Sequence, residues 1–198
     1  MTDGHARGPA DEEVVAAIRA GDRDAFTLAF RQHHLDVYRF ARHMSGDAAV
    51  ADDVTQEAFL ALMRHPDRFD ATRGSLRAYL LGIARHVLAS RLRERRWWGD
   101  ADDAMSDVAA PDDDPHETLC RAQDVARVQA AVAMLAPAFR DTLVLCDLLG
   151  LSYEDAAASL ACPIGTVRSR LHRARQQVAS VLRAQQGALE GVHARCLA

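Results

Sequence analysis

Eighteen consecutive positions, 99–116, hold one Gly, two Pro and seven Asp, with no Arg or Lys among them. No helix or strand core can be built from that composition, because Gly and Pro interrupt both backbone ladders and clustered carboxylates repel one another. The chain must therefore fold as two bodies flanking a linker. Residues 20–98 carry 13 Arg and 10 acids, and residues 121–183 carry 8 Arg and 5 acids. Between them, 99–120 carries 8 acids and no base. A net charge of −4 over 198 residues thus conceals two basic bodies joined by an acidic strap.

Both bodies read as helical, and β-branched alternation is almost absent. Asp11 opens a helix through Ala20, which Gly21 ends. Asp22 caps a second helix to about Met44, stopped by Ser45-Gly46, and Asp47 starts a third that Pro66 closes. Ser75 caps a long fourth helix through about Arg96. Beyond the linker, a helix runs from near Glu117 to about Leu135, and Pro137 suits the first turn of the next, which Gly150 ends. Ser152 and Asp155 form an S-x-x-D cap for a short helix to Leu160, and after a tight turn a last helix passes Leu182. The expected fold is all-α: one helical domain over 11–98, an acidic flexible linker over 99–116, a second domain over 117–184 and a disordered tail over 185–198.

Composition excludes several classes of function. Hydrophobic content of 49% with 26% charged residues excludes a wholly disordered chain. No run approaches the roughly 18 uncharged apolar residues of a membrane span. Met1 to Glu13 lacks the apolar stretch of a signal peptide, and Cys120, Cys146, Cys162 and Cys196 show no paired spacing, so a reducing, cytoplasmic location is expected. All 24 basic residues are Arg, which with abundant Ala reflects coding bias rather than a binding code. His33-His34, His43 and His65 have no ligand spacing, and His116 with Cys120 is too small a set for zinc. No phosphate-binding glycine loop, nucleophile elbow or catalytic constellation stands out, so neither metal, cofactor nor enzymatic activity is expected.

The positive signal lies near the C-terminus. Tyr153–Leu160, a three-residue turn and Ile164–Val181 form a helix-turn-helix pattern. Ile164, Val167, Leu171, Ala174 and Val178 make one apolar stripe, so Thr166, Arg168, Ser169, Arg170, His172, Arg173 and Arg175 must point elsewhere. Cations near the start of a helix suit the major groove, where Arg reads guanine edges while hydroxyls and backbone N–H groups hold phosphate. A solvated basic face on a structural helix has the same pattern.

Leu151-Ser-Tyr-Glu-Asp-Ala-Ala, followed by Cys162-Pro-Ile-Gly-Thr-Val-Arg-Ser-Arg-Leu-His-Arg-Ala-Arg175, closely resembles region 4 of the extracytoplasmic-function sigma factors, the small members of the sigma-70 family. In that family the helix-turn-helix reads the minus-thirty-five promoter element. The resemblance carries this role to Ser152, Tyr153, Pro163, Gly165, Thr166, Arg168, Ser169, Arg170, His172, Arg173 and Arg175.

Asp53-Val-Thr-Gln-Glu-Ala-Phe-Leu60 matches the region 2 segment with which the family grips the clamp helices of RNA polymerase. Asp53, Gln56, Glu57 and Leu60 share one helix face by spacing, with Phe59 on the adjoining arc, where it more readily fills the core. The resemblance implies a polymerase-binding set of Asp53, Gln56, Glu57, Phe59 and Leu60. Arg68 to Arg85 resembles the segment that captures and melts the minus-ten element. Holding an unpaired base calls for a loop-and-helix pocket, stacking surfaces and cations along the backbone. Arg68, Phe69, Arg73, Arg77, Tyr79, Arg85 and His86 supply them, while Arg91, Arg93, Arg95 and Arg96 precede Trp97-Trp98. Core packing and DNA contact are even readings for Tyr79, and the Trp pair could equally anchor the helix end. The family usually has Asn where His86 stands and often Asp at Ser90, so the general role carries over and the base preference does not.

The resemblance spans about residues 20–182 and implies core RNA polymerase, promoter DNA and an anti-sigma factor as partners, the last able to sequester the protein at the inner membrane. In related sigma factors the linker threads the polymerase's active-site cleft. Asp100 to Glu117 then reads as a nucleic-acid mimic in a basic channel, or else as a solvated tether. The rival from another class is a stand-alone helix-turn-helix regulator, which leaves the 53–60 motif without a purpose. A purely structural interaction protein would make the Arg-rich helix incidental.

Overall fold

A computed structural model describes residues 9–98 and 125–196, and every regular element among them is helical. The linker at 99–116, the helix start at Glu117 and the His116–Cys120 pair lie outside those residues. Helix α1 spans Pro9–Arg19 and ends at Gly21, whose φ of +87° only glycine adopts readily. Asp22 caps α2, Arg23–Ser45, by accepting from the Asp24 and Ala25 N–H groups at 2.8 and 3.3 Å. Gly46 closes α2 in the left-handed region with its N–H on the Arg42 carbonyl. Asp47 repeats the cap for α3, Ala48–Arg64, and a 3₁₀ turn at Pro66–Arg68 leads into the loop before α4, Leu76–Trp98.

Helices α2, α3 and α4 pack together, with α1 laid across α2 and the 3₁₀ turn. Val15, Val37, Phe40, Val54, Leu62, Leu76, Leu80 and Leu81 are fully buried between them, each worth about 1.5–3 kcal/mol of burial. In the second body, α5 covers the described residues 125–133 and α6 spans Pro137–Leu143. The helix expected to run on to Gly150 instead winds as a π turn over Val144–Leu148, with the Leu149 N–H on the Val144 carbonyl at 2.9 Å. Helix α7, Tyr153–Leu160, and α8, Ile164–Cys196, complete the chain. The expected stripe on α8 is the packed one: Val167, Leu171 and Ala174 are buried, with Ile164 and Val178 half-buried beside them. Where the sequence predicts a disordered tail from Gln185, the backbone stays helical to Cys196. Ala, Gln, Leu and Glu, all good helix formers, outnumber Gly187 and Gly191 there.

The two bodies are docked on each other through α4 and α7. A Cβ placed on Gly74 would stand 2.9 Å from the Ala158 Cβ, and one on Gly82 would stand 3.3 Å from the Ser159 carbonyl oxygen. The missing side chains are what let these backbones meet. The Ser75 N–H donates to the Asp155 carboxylate at 3.2 Å. Arg77 reaches Asp36 at 2.7 Å and the Leu149 carbonyl at 2.6 Å, and Arg85 pairs with Asp141 at 2.7 Å. One apolar cluster continues through both bodies. No described helix is long and apolar enough to cross a membrane.

Candidate nucleic-acid interface

Helix α3 turns Asp53, Gln56 and Glu57 to solvent, with Leu60 half-buried at the edge of the same face. The two carboxylates, one turn apart, both accept from Arg91 of α4 at 2.9 Å. Arg91 therefore belongs to this acidic face, not with the DNA-facing arginines among which the sequence groups it. Phe59 lies inward at 2% exposure, held edge-on by Phe26 and Phe30, and cannot itself meet a partner. Its covering ring, Phe30, is exposed and stacks on His34 at 4.9 Å.

The minus-ten set divides three ways. Arg68, Arg73 and His86 are exposed. Arg77 and Arg85 are engaged by Asp36, the Leu149 carbonyl and Asp141. Phe69 is 5% exposed and packs edge-on against the half-buried Tyr79, with centroids 5.6 Å apart. Phe69 is thus a core residue rather than a stacking platform, because the 3₁₀ turn rotates its ring beneath α4. Burial pushes the Tyr79 hydroxyl above its usual pKa against the pull of Arg68. Burial likewise raises the Asp141 carboxyl, outweighing its bond to Arg85 and the nearby positive charges of Arg140 and Arg170.

Between α1 and the loop lies a cavity of about 340 Å³, lined by Glu12, Arg19, Asp67, Phe69, Asp70, Ala71 and Thr72. The Thr72 hydroxyl and N–H donate to Asp70 at 2.6 and 2.9 Å and hold its carboxyl below the usual range. Glu12 and Arg19 were not among the sequence candidates. For Arg19 the available signal is its spacing with Asp11, Val15 and Ile18, which puts two charged groups and two apolar ones on one face, while Glu12 has no such signal.

In the helix-turn-helix, the Ser152 hydroxyl accepts from the Asp155 N–H at 3.0 Å, completing the expected cap. Ala161 takes φ +51° at the turn. The Thr166 and Val167 N–H groups are given to the Pro163 carbonyl at 2.9 and 3.2 Å, and the Ser169 hydroxyl to Thr166 O at 3.0 Å. Those two N–H groups and that hydroxyl are therefore spent inside the helix. Pro163, Gly165, Arg168, Ser169, His172 and Arg173 are exposed, Thr166 and Arg170 half-buried. Arg168 lies over the exposed Tyr153 ring at 5.8 Å. Arg175 is clamped by Asp147 of the π turn at 2.6 and 2.9 Å, so it buttresses α8 rather than standing free. Among the described residues no group of three His, Cys, Asp or Glu converges as a metal site. Burial pushes the Cys146 thiol up to about 11, away from reactivity.

The comparisons with known proteins fall on the same two bodies. Residues 29–98 match sigma-70 region 2, and residues 126–178 match sigma-70 region 4. The chain is 39% identical over 169 residues to the ECF RNA polymerase sigma factor SigC of Mycobacterium tuberculosis, covering 83% of this chain and 89% of that protein. It is 35% identical over 190 residues to SigE of Mycolicibacterium smegmatis, covering 92% and 73%. Among solved structures, CnrH in complex with the cytosolic domain of CnrY aligns with a TM-score of 0.65 at 26% identity, over 88% of this chain and 98% of that one. The sigma factor RpoE of Bartonella quintana, in complex with the anti-sigma factor NepR, aligns at 0.63 and 29% identity, over 80% and 96%. With both regions present in order, and relatives matched along most of their length, the chain belongs to the extracytoplasmic-function group of the sigma-70 family of RNA polymerase sigma factors.

Proposed function

We propose that this protein binds core RNA polymerase through the Asp53–Gln56–Glu57–Leu60 face of α3 and directs it to promoters. In this reading α7 and α8 dock on duplex DNA at the minus-thirty-five element, with Arg168, Arg173 and His172 toward the groove. The loop before α4, with Arg68 and Arg73, holds the unpaired minus-ten strand together with His86 of α4. The observation that carries the reading is the solvent-facing row of Arg168, Ser169, His172 and Arg173 on a capped helix-turn-helix, on the same chain as an exposed acidic face of the region 2 type. Nucleotidyl transfer itself belongs to the polymerase. The protein works in the cytoplasm.

Arg77 and Arg85 are occupied by the docked C-terminal body, so their use on promoter DNA requires the two bodies to part. An anti-sigma partner that favours the docked form would keep both arginines from DNA. The solved relatives CnrH and RpoE, each in complex with another protein, support control by a protein partner.

Run-off transcription with core polymerase on a genomic fragment library tests the proposal. Wild type should give defined starts, and Glu57→Ala with Leu60→Ala should abolish them while the fold persists. Polymerase-independent binding to DNA, with no start on any template, would instead identify a stand-alone regulator.

A further inference from the structure

Helix α1 precedes the residues that match region 2, and no role is assigned to it. Its inner face carries Asp11, Val15, Ile18 and Arg19. Val15 and Ile18 are buried and fix the helix in the core. That anchorage brings the two charged groups to opposite ends of one loop. At the near end, the Arg19 guanidinium donates to the Pro66 and Phe69 carbonyls at 3.2 and 3.3 Å and pairs with Asp67 at 3.1 Å. At the far end, the Asp11 carboxylate accepts the Leu76 N–H at 2.7 Å, at the first turn of α4. Between these ties, Asp70, Ala71 and Thr72 help line the 340 Å³ cavity.

A planar guanidinium with five fixed donors is the side chain best able to satisfy two carbonyls and a carboxylate together. A carboxylate at the N-terminal turn of α4 both fills an orphan donor and complements the helix dipole. The combined effect is a loop with little freedom to reshape around a wrong base. A pocket discriminates between ligands only as well as its walls resist adapting to them.

We infer that α1 is a positioning element of the minus-ten reader, with Arg19 and Asp11 bracing the 66–75 loop so that it selects among bases. The inference rests on the proposal that this loop holds the unpaired minus-ten strand. Neither residue touches the chemistry of transcription; each acts through the loop it holds.

The experiment uses the full chain with core polymerase on a promoter whose minus-ten and minus-thirty-five positions are randomised separately, and sequences the productive templates. Arg19→Ala should reduce base discrimination roughly fivefold at one or two adjacent minus-ten positions, the effect of losing charge-assisted hydrogen bonds at the loop. The minus-thirty-five preference, read in the same preparation, should not change. Arg19→Lys should recover part of the loss, and Asp11→Ala should disturb the same positions. Asp67→Asn breaks the ion pair from the loop side, where the side chain is 88% exposed. It touches no core and decides the matter if Arg19→Ala does not fold. Folded variants with unchanged minus-ten preference, or with a uniform loss on every template, overturn the inference. Wild type with no preference at any minus-ten position removes the reading beneath it instead.

Discussion

His43 lies in the last turn of α2, where the carbonyl end of a helix ordinarily favours a cation. Here burial wins, and Arg42 and Arg39 add repulsion, so its pKa falls below the ordinary 6.5. The folded state therefore binds fewer protons at this site than the unfolded chain. Its stability contribution is complete above the ordinary value and is lost as pH falls toward the depressed one. Denaturant midpoints should drop between about pH 7.5 and about pH 5.5, and His43→Gln should flatten that slope. An unchanged slope in the variant would place the pH dependence elsewhere. The caps at Asp22, Asp47 and Ser152 were legible because capping is chemistry within three residues. Phe59 was legible as a core residue from its place on the arc adjoining the exposed face, whereas Phe69 was not, since an aromatic beside a turn reads alike whether it faces in or out. What turns them inward is Phe26, Phe30 and Tyr79, none of which sequence spacing could place against them.

At the scale of elements, α8 is held in place by contacts distinct from those it offers. Val167, Leu171 and Ala174 fasten it to the body, and Asp147 fixes its orientation through Arg175. Arg168 and Arg173 remain on the outer face. Replacing either with Ala should cost about 1–3 kcal/mol of discrimination at one minus-thirty-five base pair, with thermal stability nearly unchanged. Electrophoretic mobility or fluorescence binding of the assembled holoenzyme to promoter variants reads this directly. An equal loss on all sequences would make the arginine a phosphate contact. The stripe and both helices of this module were readable because a 3.6-residue period and a Ser cap leave few alternatives. The π turn at Val144–Leu148 was not, because in the nearly unbroken apolar run 143–151 the residue that i→i+5 winding adds leaves no visible break in the pattern. Its consequence, the Asp147–Arg175 clamp, was hidden with it.

For the whole molecule, the charge map divides the chain into two bodies, but nothing in it foretells their docking. The ties join residues 56, 72 and 80 positions apart, beyond the reach of any local pattern. Glycine supplies the test, because the approach at Gly74 leaves no room for a Cβ beside Ala158. Gly74→Val should separate the bodies, giving a larger radius of gyration by X-ray scattering and faster cleavage by a nonspecific protease. The helices of each body should survive. A variant as compact and as resistant as wild type would show that this contact does not hold the bodies together.

The apolar cluster that runs through both bodies has a bearing on the protein's lifetime. Parting them bares surface of the kind that aggregates and that quality-control proteases seize. Copies that open without a polymerase to receive them should be the ones removed first. The docked form should therefore outlast an open form that no polymerase receives, a difference that pulse-chase decay of wild type against Gly74→Val would read.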